Sequence, residues 1–287
     1  MSKRAIITVD PIALQTRYPG IFRGDRRSHF LTLCIIGMML LGLVLSVASL
    51  DTDWPRAAQG IGKLGDFLLF MLPPSTGTWS KFFVYLYALA ETVAIAFLGV
   101  LIAALLAFPF GFLAAKNVVP NWLVHVATRR FLDSVRGVDE LIWALIWVGV
   151  VGLGPFAGVL ALVFANFGAF GKLFSEAIEV AGKKPIEGVL STGGGTLHAI
   201  NFGIIPQIFP IIAGQVLYFF ESNTRSATII GIVGAGGIGL HLAEQIRMLE
   251  YQHVSALILM ILCVVGIIDF MSTKLRFAII GKSSVPR

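Results

Sequence analysis

Residues 220–239 read FESNTRSATIIGIVGAGGIG, a short polar segment with two charges that runs directly into a glycine-rich apolar segment. The apolar part belongs to the uncharged run Ser226–Ala243, which is 18 residues long. A membrane-spanning helix needs about 20 mostly apolar residues. Five residues of this run are glycine, and glycine forms lipid-facing helices poorly. Whether this run crosses a membrane decides the topology of the whole chain.

The rest of the chain has the composition of an integral membrane protein. Of its 287 residues, 56% are hydrophobic and only 13% are charged, whereas soluble domains average about 25% charged residues. The same composition excludes intrinsic disorder, which requires polar and highly charged sequence. The two cysteines, Cys34 and Cys263, lie inside apolar runs. We expect them to be small buried hydrophobic residues rather than a disulfide.

Five further uncharged runs are candidates for spanning helices, and two of them must be divided. Leu141–Gly171 is broken by the turn signal Gly152-Leu153-Gly154-Pro155. This break predicts one span that begins before Asp139 and a second that continues past Lys172. Gly188–Phe220 begins polar and becomes hydrophobic only from Phe202, which predicts a loop followed by one span. One span each is predicted by the remaining runs, Phe30–Leu50, Thr92–Ala115 and Tyr251–Ile268.

The distribution of basic residues favours six spans with both termini in the cytoplasm. In that topology 17 of the 22 basic residues lie on the cytoplasmic side, in agreement with the positive-inside rule. Counting Ser226–Ala243 as a further span would place the four C-terminal basic residues outside. We therefore expect this run to dip into the membrane or to pack inside the protein. The first span is interpreted as a retained anchor, because its 21-residue core is longer than that of a signal peptide.

The segment Lys172–Asn201 leads into a motif of three spaced residues. Glu187 is followed by Gly193 six residues later and by Pro206 nineteen residues later. This spacing resembles the EAA loop of ABC-importer permeases, although both alanines of that motif are replaced. A carboxylate that leads a short helix meets the positive end of its dipole, and proline near the start of the next span costs little. Such a helix can lie in a groove of a partner protein. The alternative is an ordinary loop between two helices.

Three sequence blocks, at residues 152–162, 174–177 and 220–239, closely resemble the phosphonate ABC-transporter permease family, and the resemblance extends over roughly residues 80–275. It implies an all-α integral membrane protein with six transmembrane helices and the type I (MetI-like) importer fold, in the bacterial inner membrane. It also implies a second copy of the chain, two cytoplasmic ATPase subunits and a periplasmic substrate-binding protein as partners. ATP and Mg²⁺ would be bound by the ATPase subunits, so this chain would hold no cofactor. Relatives that import phosphite or hypophosphite share these blocks, and the transported oxyanion therefore stays open.

The organisation predicted from these runs has five parts. They are a cytoplasmic N-terminal segment at 1–29, a first transmembrane helix at 30–50, a periplasmic segment at 51–81, a permease core at 82–275 with five transmembrane helices and a coupling loop at 183–201, and a cytoplasmic tail at 276–287. No Walker A sequence is present, because the one Gly-Lys-Ser, at 281–283, has Arg276 where the first glycine belongs. The energy for transport must therefore come from another chain.

Arg225 is the residue that we expect to contact a transported anion. Hydroxyl groups flank it at Ser222, Thr224 and Ser226, near the outer end of a predicted span. A guanidinium offers two parallel donors to an oxyanion, and a charge at membrane depth is costly unless it faces protein or water. The alternative is a structural ion pair, because Glu221 lies four residues earlier in the favourable order. Both roles are compatible with the sequence.

The glycines at 234, 236, 237 and 239 formally match a dinucleotide-binding fingerprint. That fold requires alternating strands and helices, whereas the neighbours here are spanning helices. Close helix packing beside a gate is therefore the better interpretation for Gly234, Gly236, Gly237 and Gly239. Neither a catalytic nucleophile–base pair nor a metal-binding cluster is evident, and the net charge of +6 follows from the inner-face bias and not from nucleic-acid binding. A same-fold permease for methionine or a metal complex, a membrane-embedded enzyme and a secondary transporter remain alternatives.

Overall fold

The computed structural model describes residues 26–49 and 54–281, and the regular structure within these ranges is helical. Ten helices of nine or more residues are described, here numbered α1 to α10. Thr196–His198 and a π-helical turn at Ala199–Ile204 lead directly into the eighth. The helices are α1 (Arg26–Ser49), α2 (Trp54–Phe70), α3 (Trp79–Leu113), α4 (Trp122–Arg136), α5 (Glu140–Val151), α6 (Pro155–Val180), α7 (Lys183–Ser191), α8 (Ile205–Ile232), α9 (Ile238–Arg247) and α10 (Tyr251–Ile280). Most of the predicted N-terminal segment 1–29 lies outside the described residues, as do the last six residues of the predicted tail.

The chain divides into two compact units, residues 1–67 and 68–287. In the first unit, α1 is a single apolar helix whose described side chains are all exposed. A fully exposed apolar helix is what a lipid environment accommodates, because hydrocarbon replaces the missing protein contacts. Cys34 on this helix is free and exposed, as is Cys263 on α10. The expectation that both cysteines are buried is therefore wrong, since an apolar run in a membrane protein can face lipid.

Five helical segments within the described residues are long and apolar enough to cross a membrane: Phe30–Ser49, Trp79–Leu113, Pro155–Val180, Thr196–Ile232 and Tyr251–Ile279. The sixth predicted span corresponds to α5, which has only 12 residues and is about 18 Å long. It begins after Asp139 and not before, because the Asp139 side chain accepts a hydrogen bond from the Leu141 N–H and caps the helix. Five of the six predicted spans are thus present among the described residues, and a shorter apolar helix lies at the place of the sixth.

Helices α3 and α6 pack side by side in the same direction and form the centre of the second unit. A methyl group added to Gly99 would lie 2.6 Å from Leu162 Cβ, and one added to Gly111 would lie 2.8 Å from Phe174 Cβ. Gly158 of α6 likewise lies against Ile95 of α3. In all three contacts the residue numbers increase in the same direction along both helices, so the helices are parallel. Small residues allow such close approach, which is how membrane helices associate. The chain between two parallel helices must return once, and α4 and α5 form this return.

The run Ser226–Ala243 does not form a crossing of its own. Helix α8 continues to Ile232, a turn follows, and α9 begins at Ile238. The turn contains three glycines with positive φ angles, Gly234 (95°), Gly236 (83°) and Gly237 (71°), a backbone conformation that side-chain-bearing residues rarely adopt. The glycines therefore end α8 and reverse the chain inside the protein.

Candidate functional site

A cluster of three charged side chains joins α8 to α10. Glu221 on α8 is buried, with 8% of its surface exposed. Its Oε2 accepts a hydrogen bond from Arg276 Nη2 at 2.7 Å, and its Oε1 lies 3.4 Å from Arg225 Nη2. The guanidinium of Arg276 also lies 5.8 Å from the centre of the Tyr218 ring. Two arginines share one carboxylate, and the cluster carries one net positive charge.

The two arginines hold Glu221 with unequal strength. The Arg276 contact is short and its side chain is 28% exposed, whereas Arg225 is 50% exposed and makes the longer contact. Exposed ion pairs contribute about 0–1 kcal/mol, while charge-assisted hydrogen bonds at short distance are considerably stronger. Arg276 is therefore the main partner of Glu221. Arg225 does make the contact expected of a structural ion pair, but it is the freer of the two cations.

The positions of these arginines differ from those that the sequence suggested. Arg225 lies inside α8, seven residues before its end at Ile232, so the helix continues beyond the predicted end of the span. Arg276, which the sequence assigned to the tail 276–287, lies within α10 and contacts α8. Sequence reasoning missed this pair because Glu221 already had a favourable partner four residues away. Arg276 is 55 residues away, and only packing brings it near.

The hydroxyl groups predicted around Arg225 do not converge on it. Thr224 is buried and donates to the Phe220 carbonyl of its own helix at 2.9 Å. Ser222 and Ser226 are half-buried, and no described side-chain hydrogen bond joins either hydroxyl to Arg225, although Ser222 lies one turn before it on the same face of α8. The described structure thus gathers charges, and not hydroxyls, around the expected anion site.

A buried pair of amides links α6 to α8 next to this cluster. Asn166 Nδ2 donates to Asn223 Oδ1 at 3.0 Å, and Asn223 Nδ2 donates to Asn166 Oδ1 at 3.1 Å. Each amide also donates to a carbonyl of its own helix at 2.7 Å. Buried polar groups must be paired in this way, so the two amides favour one arrangement of the helices. The sequence contained no local signal for this pair.

A cavity of about 540 Å³ opens between α6, α8 and α10, and Arg276 lies on its wall. Gln207, Gln215 and Tyr218 are the other polar side chains that line it. Within the described residues, Arg276 Nε and Gln215 Oε1 are buried and have no hydrogen-bond partner. A cavity beside a cation with an unused donor has room for an anion or for water.

The glycine-rich turn is held by polar groups from α3. Glu91 Oε1 accepts from the Gly237 N–H at 2.9 Å, and Thr92 Oγ1 accepts from the Ile238 N–H at 2.8 Å. These side chains cap the start of α9, which has no cap of its own. Gly239 packs so closely against α8 that an added methyl group would overlap the Thr228 carbonyl oxygen. The four predicted glycines are all buried here, and Glu91 is a supporting residue that sequence reasoning missed.

The predicted coupling loop, residues 183–201, contains helix α7. Glu187 is exposed and lies in the middle of α7, whose first two residues are Lys183 and Lys184. The expectation of a helix led by a carboxylate is therefore wrong, because the helix starts four residues earlier than predicted. Gly193 has a φ of +86° and turns the chain after α7. Pro206 is in the first turn of α8, where its missing N–H costs no hydrogen bond.

One glutamine fastens this loop to α8. The Gln207 side chain accepts from the Gly182 N–H at 2.9 Å and donates to the Gly182 and Gly203 carbonyls at 3.2 and 2.6 Å. The loop still presents apolar side chains outward, with Leu190 48% and Leu197 74% exposed. A fixed helix with exposed apolar residues is suited to binding a partner groove. Movement of a partner bound to α7 would therefore be transmitted to α8.

Comparison with known protein families agrees with a membrane transport component. A family model described as "Binding-protein-dependent transport system inner membrane component" matches residues 107–279. The phosphite transport system permease protein PtxC of Stutzerimonas stutzeri is 37% identical over 71% of this chain and 74% of its own length. HtxC of the same organism is 36% identical over 89% of this chain and 88% of its own length. The phosphate-import permease protein PhnE of Mycolicibacterium smegmatis is 40% identical over 66% of this chain but 36% of its own length.

Two solved structures have a similar backbone. The inward-facing MetNI methionine ABC transporter matches with a TM-score of 0.62 and 16% identity, covering 71% of this chain and 99% of that chain. An amino acid ABC transporter crystallised with histidines matches with a TM-score of 0.55 and 17% identity, covering 70% and 97%. At such low identity the similarity concerns the fold alone.

Proposed function

Because this chain belongs to the family of binding-protein-dependent transport system inner membrane components, we propose that it carries phosphonate or a related reduced-phosphorus oxyanion, such as phosphite or hypophosphite, across the inner membrane. Its membership confirms the family resemblance and the helical importer fold predicted from the sequence. The chain is the permease component of an ABC transporter and not an enzyme, since partner subunits hydrolyse the ATP.

The charge cluster on α8 and α10 is the observation that supports an anionic substrate. Arg225 and Arg276 share the single carboxylate of Glu221, so one positive charge in the bundle is not neutralised there. An oxyanion entering low dielectric needs such a charge, held weakly enough that it can leave again. Arg225, half exposed and weakly paired, is suited to accept the anion first. Relatives named as phosphite permeases are compatible with this chemistry.

Two copies of the chain would form the path. The most apolar windows of the spanning segments Thr196–Ile232 and Tyr251–Ile279 are only 22% buried within one copy, against 50% for Pro155–Val180. The surfaces of α8 and α10 are thus available to a second copy or to lipid. A two-fold arrangement would place two Glu221 clusters around one axis. One copy offers a single charged cluster on one side of a path. A second copy would supply the cluster on the opposite side and so enclose the path.

The remaining parts of the proposal concern partners and orientation. Two ATPase subunits would bind the loop 183–201 in the cytoplasm, with Glu187 and Leu190 of α7 at the contact. ATP and Mg²⁺ would be held by those subunits, and a periplasmic binding protein would deliver the anion at the opposite end, near the glycine turn 233–237. Both termini would lie in the cytoplasm, as the basic residues suggest. No described observation favours methionine or a metal complex as the substrate.

Uptake by the reconstituted transporter tests this function. The chain is incorporated into proteoliposomes with its own ATPase and binding protein, and accumulation of phosphite, hypophosphite and methylphosphonate is measured with and without ATP. We expect ATP-dependent accumulation of at least one of the three, and competition among them. Accumulation of methionine without any effect of the phosphorus oxyanions would contradict the proposal.

A further inference from the structure

A second basic cavity lies far from the Glu221 cluster, at the end of the bundle where α3 and α6 terminate. It has a volume of about 520 Å³ and opens beside the connection between α3 and α4. Lys116, His125, Arg129 and Arg130 line it, together with the indole ring of Trp122. Neither the transport path nor the coupling loop uses these residues.

One of the cations in this cavity is fixed and two are free to move. Arg129 donates to the Ala114 carbonyl at 3.2 Å and to Glu179 at 3.0 Å. The Arg130 side chain is 80% exposed and makes only a 3.5 Å contact with Asp133. The Lys116 ammonium makes no ion pair among the described residues. Two long cationic side chains beside a positioned third are suited to closing around an anion.

His125 gives an independent indication of a ligand. It is only 6% exposed and lines the cavity, yet its Nδ1 has no hydrogen-bond partner among the described residues. A buried ring nitrogen without a partner is uncommon and points to a missing ligand or water. His125 is thus a residue of the cavity wall whose ring nitrogen has no partner within the described protein.

The surroundings of the cavity indicate that its occupant comes from the membrane. Lys116 is the first charged residue after the 24-residue uncharged run of α3, which places it where the hydrocarbon ends. Trp122 and Leu123 at the start of α4 are 73% and 66% exposed. Tryptophan and lysine at this depth are typical of the headgroup region.

We propose that this cavity binds the phosphate of an anionic phospholipid headgroup. A phosphodiester offers several acceptor oxygens to Lys116, Arg129 and Arg130, and basic pockets beside membrane helices bind anionic headgroups in this way. The acyl chains would lie along the exposed apolar side chains of α4. A zwitterionic lipid binds less well, because its choline cation would approach the same basic residues.

Native mass spectrometry of the purified protein in neutral detergent tests the proposal. The titrants are phosphatidylglycerol and phosphatidylcholine with identical acyl chains, and glycerol 3-phosphate and phosphite as soluble anions. The test variant is Lys116→Gln with Arg130→Gln. The matched control, Lys81→Gln with Arg247→Gln, removes two exposed positive charges from the other end of the bundle. We expect one tight phosphatidylglycerol per chain, bound about twenty-five-fold more weakly by the test variant, from roughly fivefold for each of the two basic residues near an anionic lipid.

Each other outcome overturns the proposal. Equal binding of both lipids, or equal loss in the test and control variants, would show only general charge attraction. Displacement of the lipid by glycerol 3-phosphate or phosphite at similar concentrations would make the occupant a soluble anion. A further variant, His125→Phe, keeps the ring and removes the unpaired nitrogen. It should bind phosphatidylglycerol several-fold more weakly with an unchanged melting temperature, and unchanged affinity would contradict headgroup binding in this cavity.

Discussion

Replacing Arg276 by methionine should destabilise the protein far more than the same change at Arg225. Arg276→Met removes the 2.7 Å partner of a carboxylate whose side chain is 10% exposed, and it leaves that carboxylate with a contact at 3.4 Å. Breaking a buried ion pair costs about 3–5 kcal/mol. Because Arg276 is 28% exposed and Arg225 remains, we expect about 2–3 kcal/mol. Arg225→Met should cost less than about 1 kcal/mol, the value for exposed pairs.

Thermal unfolding followed by tryptophan fluorescence in detergent measures this difference. At roughly 2–4 °C for each kcal/mol, Arg276→Met should lower the melting temperature by about 4–12 °C and Arg225→Met by at most about 4 °C. Adding Glu221→Gln to Arg276→Met removes the unpaired buried charge, so the double variant should regain at least half of the loss. Equal losses in the two single variants, or no recovery in the double variant, would refute the unequal pairing of Glu221.

Uptake by the same variants separates transport from stability. Arg225→Met should abolish oxyanion uptake although the protein stays folded, whereas Arg225→Lys should retain part of it, because the charge survives without the two parallel donors. Full uptake by Glu221→Ala with Arg225→Ala would make Arg225 a purely structural residue.

Four further predictions concern other parts of the molecule. Gly239→Ala should cost about 1–3 kcal/mol through overlap with a carbonyl of α8, whereas Gly266→Ala, which meets open space, should leave the melting temperature unchanged. Asn166→Ala should cost about 1–3 kcal/mol, because it leaves a buried amide unpaired, and a melting temperature equal to wild type would contradict the amide pair. Gly193→Pro, at a φ of +86° that proline cannot adopt, should allow membrane insertion and ATP hydrolysis but stop uptake; normal uptake would exclude a coupling role. Of two reporters fused after Arg287, the one that is active in the cytoplasm should give a signal and the one that is active in the periplasm should not. The opposite result would overturn the proposed orientation.

The local sequence pattern was sufficient to predict the fold class and most of the turns that separate the helices. Five of the uncharged runs contribute to helices long enough to cross a membrane, because a bilayer imposes a minimum apolar length on any spanning segment. The turn at Gly152-Leu153-Gly154-Pro155 separates α5 from α6 where it was predicted. The glycines after Ile232 end α8, since three of them have φ angles reserved largely for glycine. These outcomes depend on residues close together in the sequence.

The local sequence pattern did not predict the first residue of α5 or of α7, because several nearby residues could begin each helix. Asp139 and Glu140 are polar residues that the sequence placed inside a longer span, but Asp139 caps α5 and starts it. Glu187 was expected at a helix start and lies in the middle of α7. Helix ends are the least certain part of a pattern read from sequence.

The amino-acid sequence by itself determined that this chain is a helical membrane protein of the importer permease family, since composition, apolar length and spaced motifs are properties of the chain alone. Only the tertiary structure showed that Glu221 pairs with Arg276, that Asn166 pairs with Asn223, and that Glu91 caps α9. The partners in these contacts are 55, 57 and 146 residues apart. Periodicity and propensity describe neighbours within about one helical turn. Which distant polar groups meet is decided by helix packing, because a buried charge or amide is stable only where the fold supplies its partner.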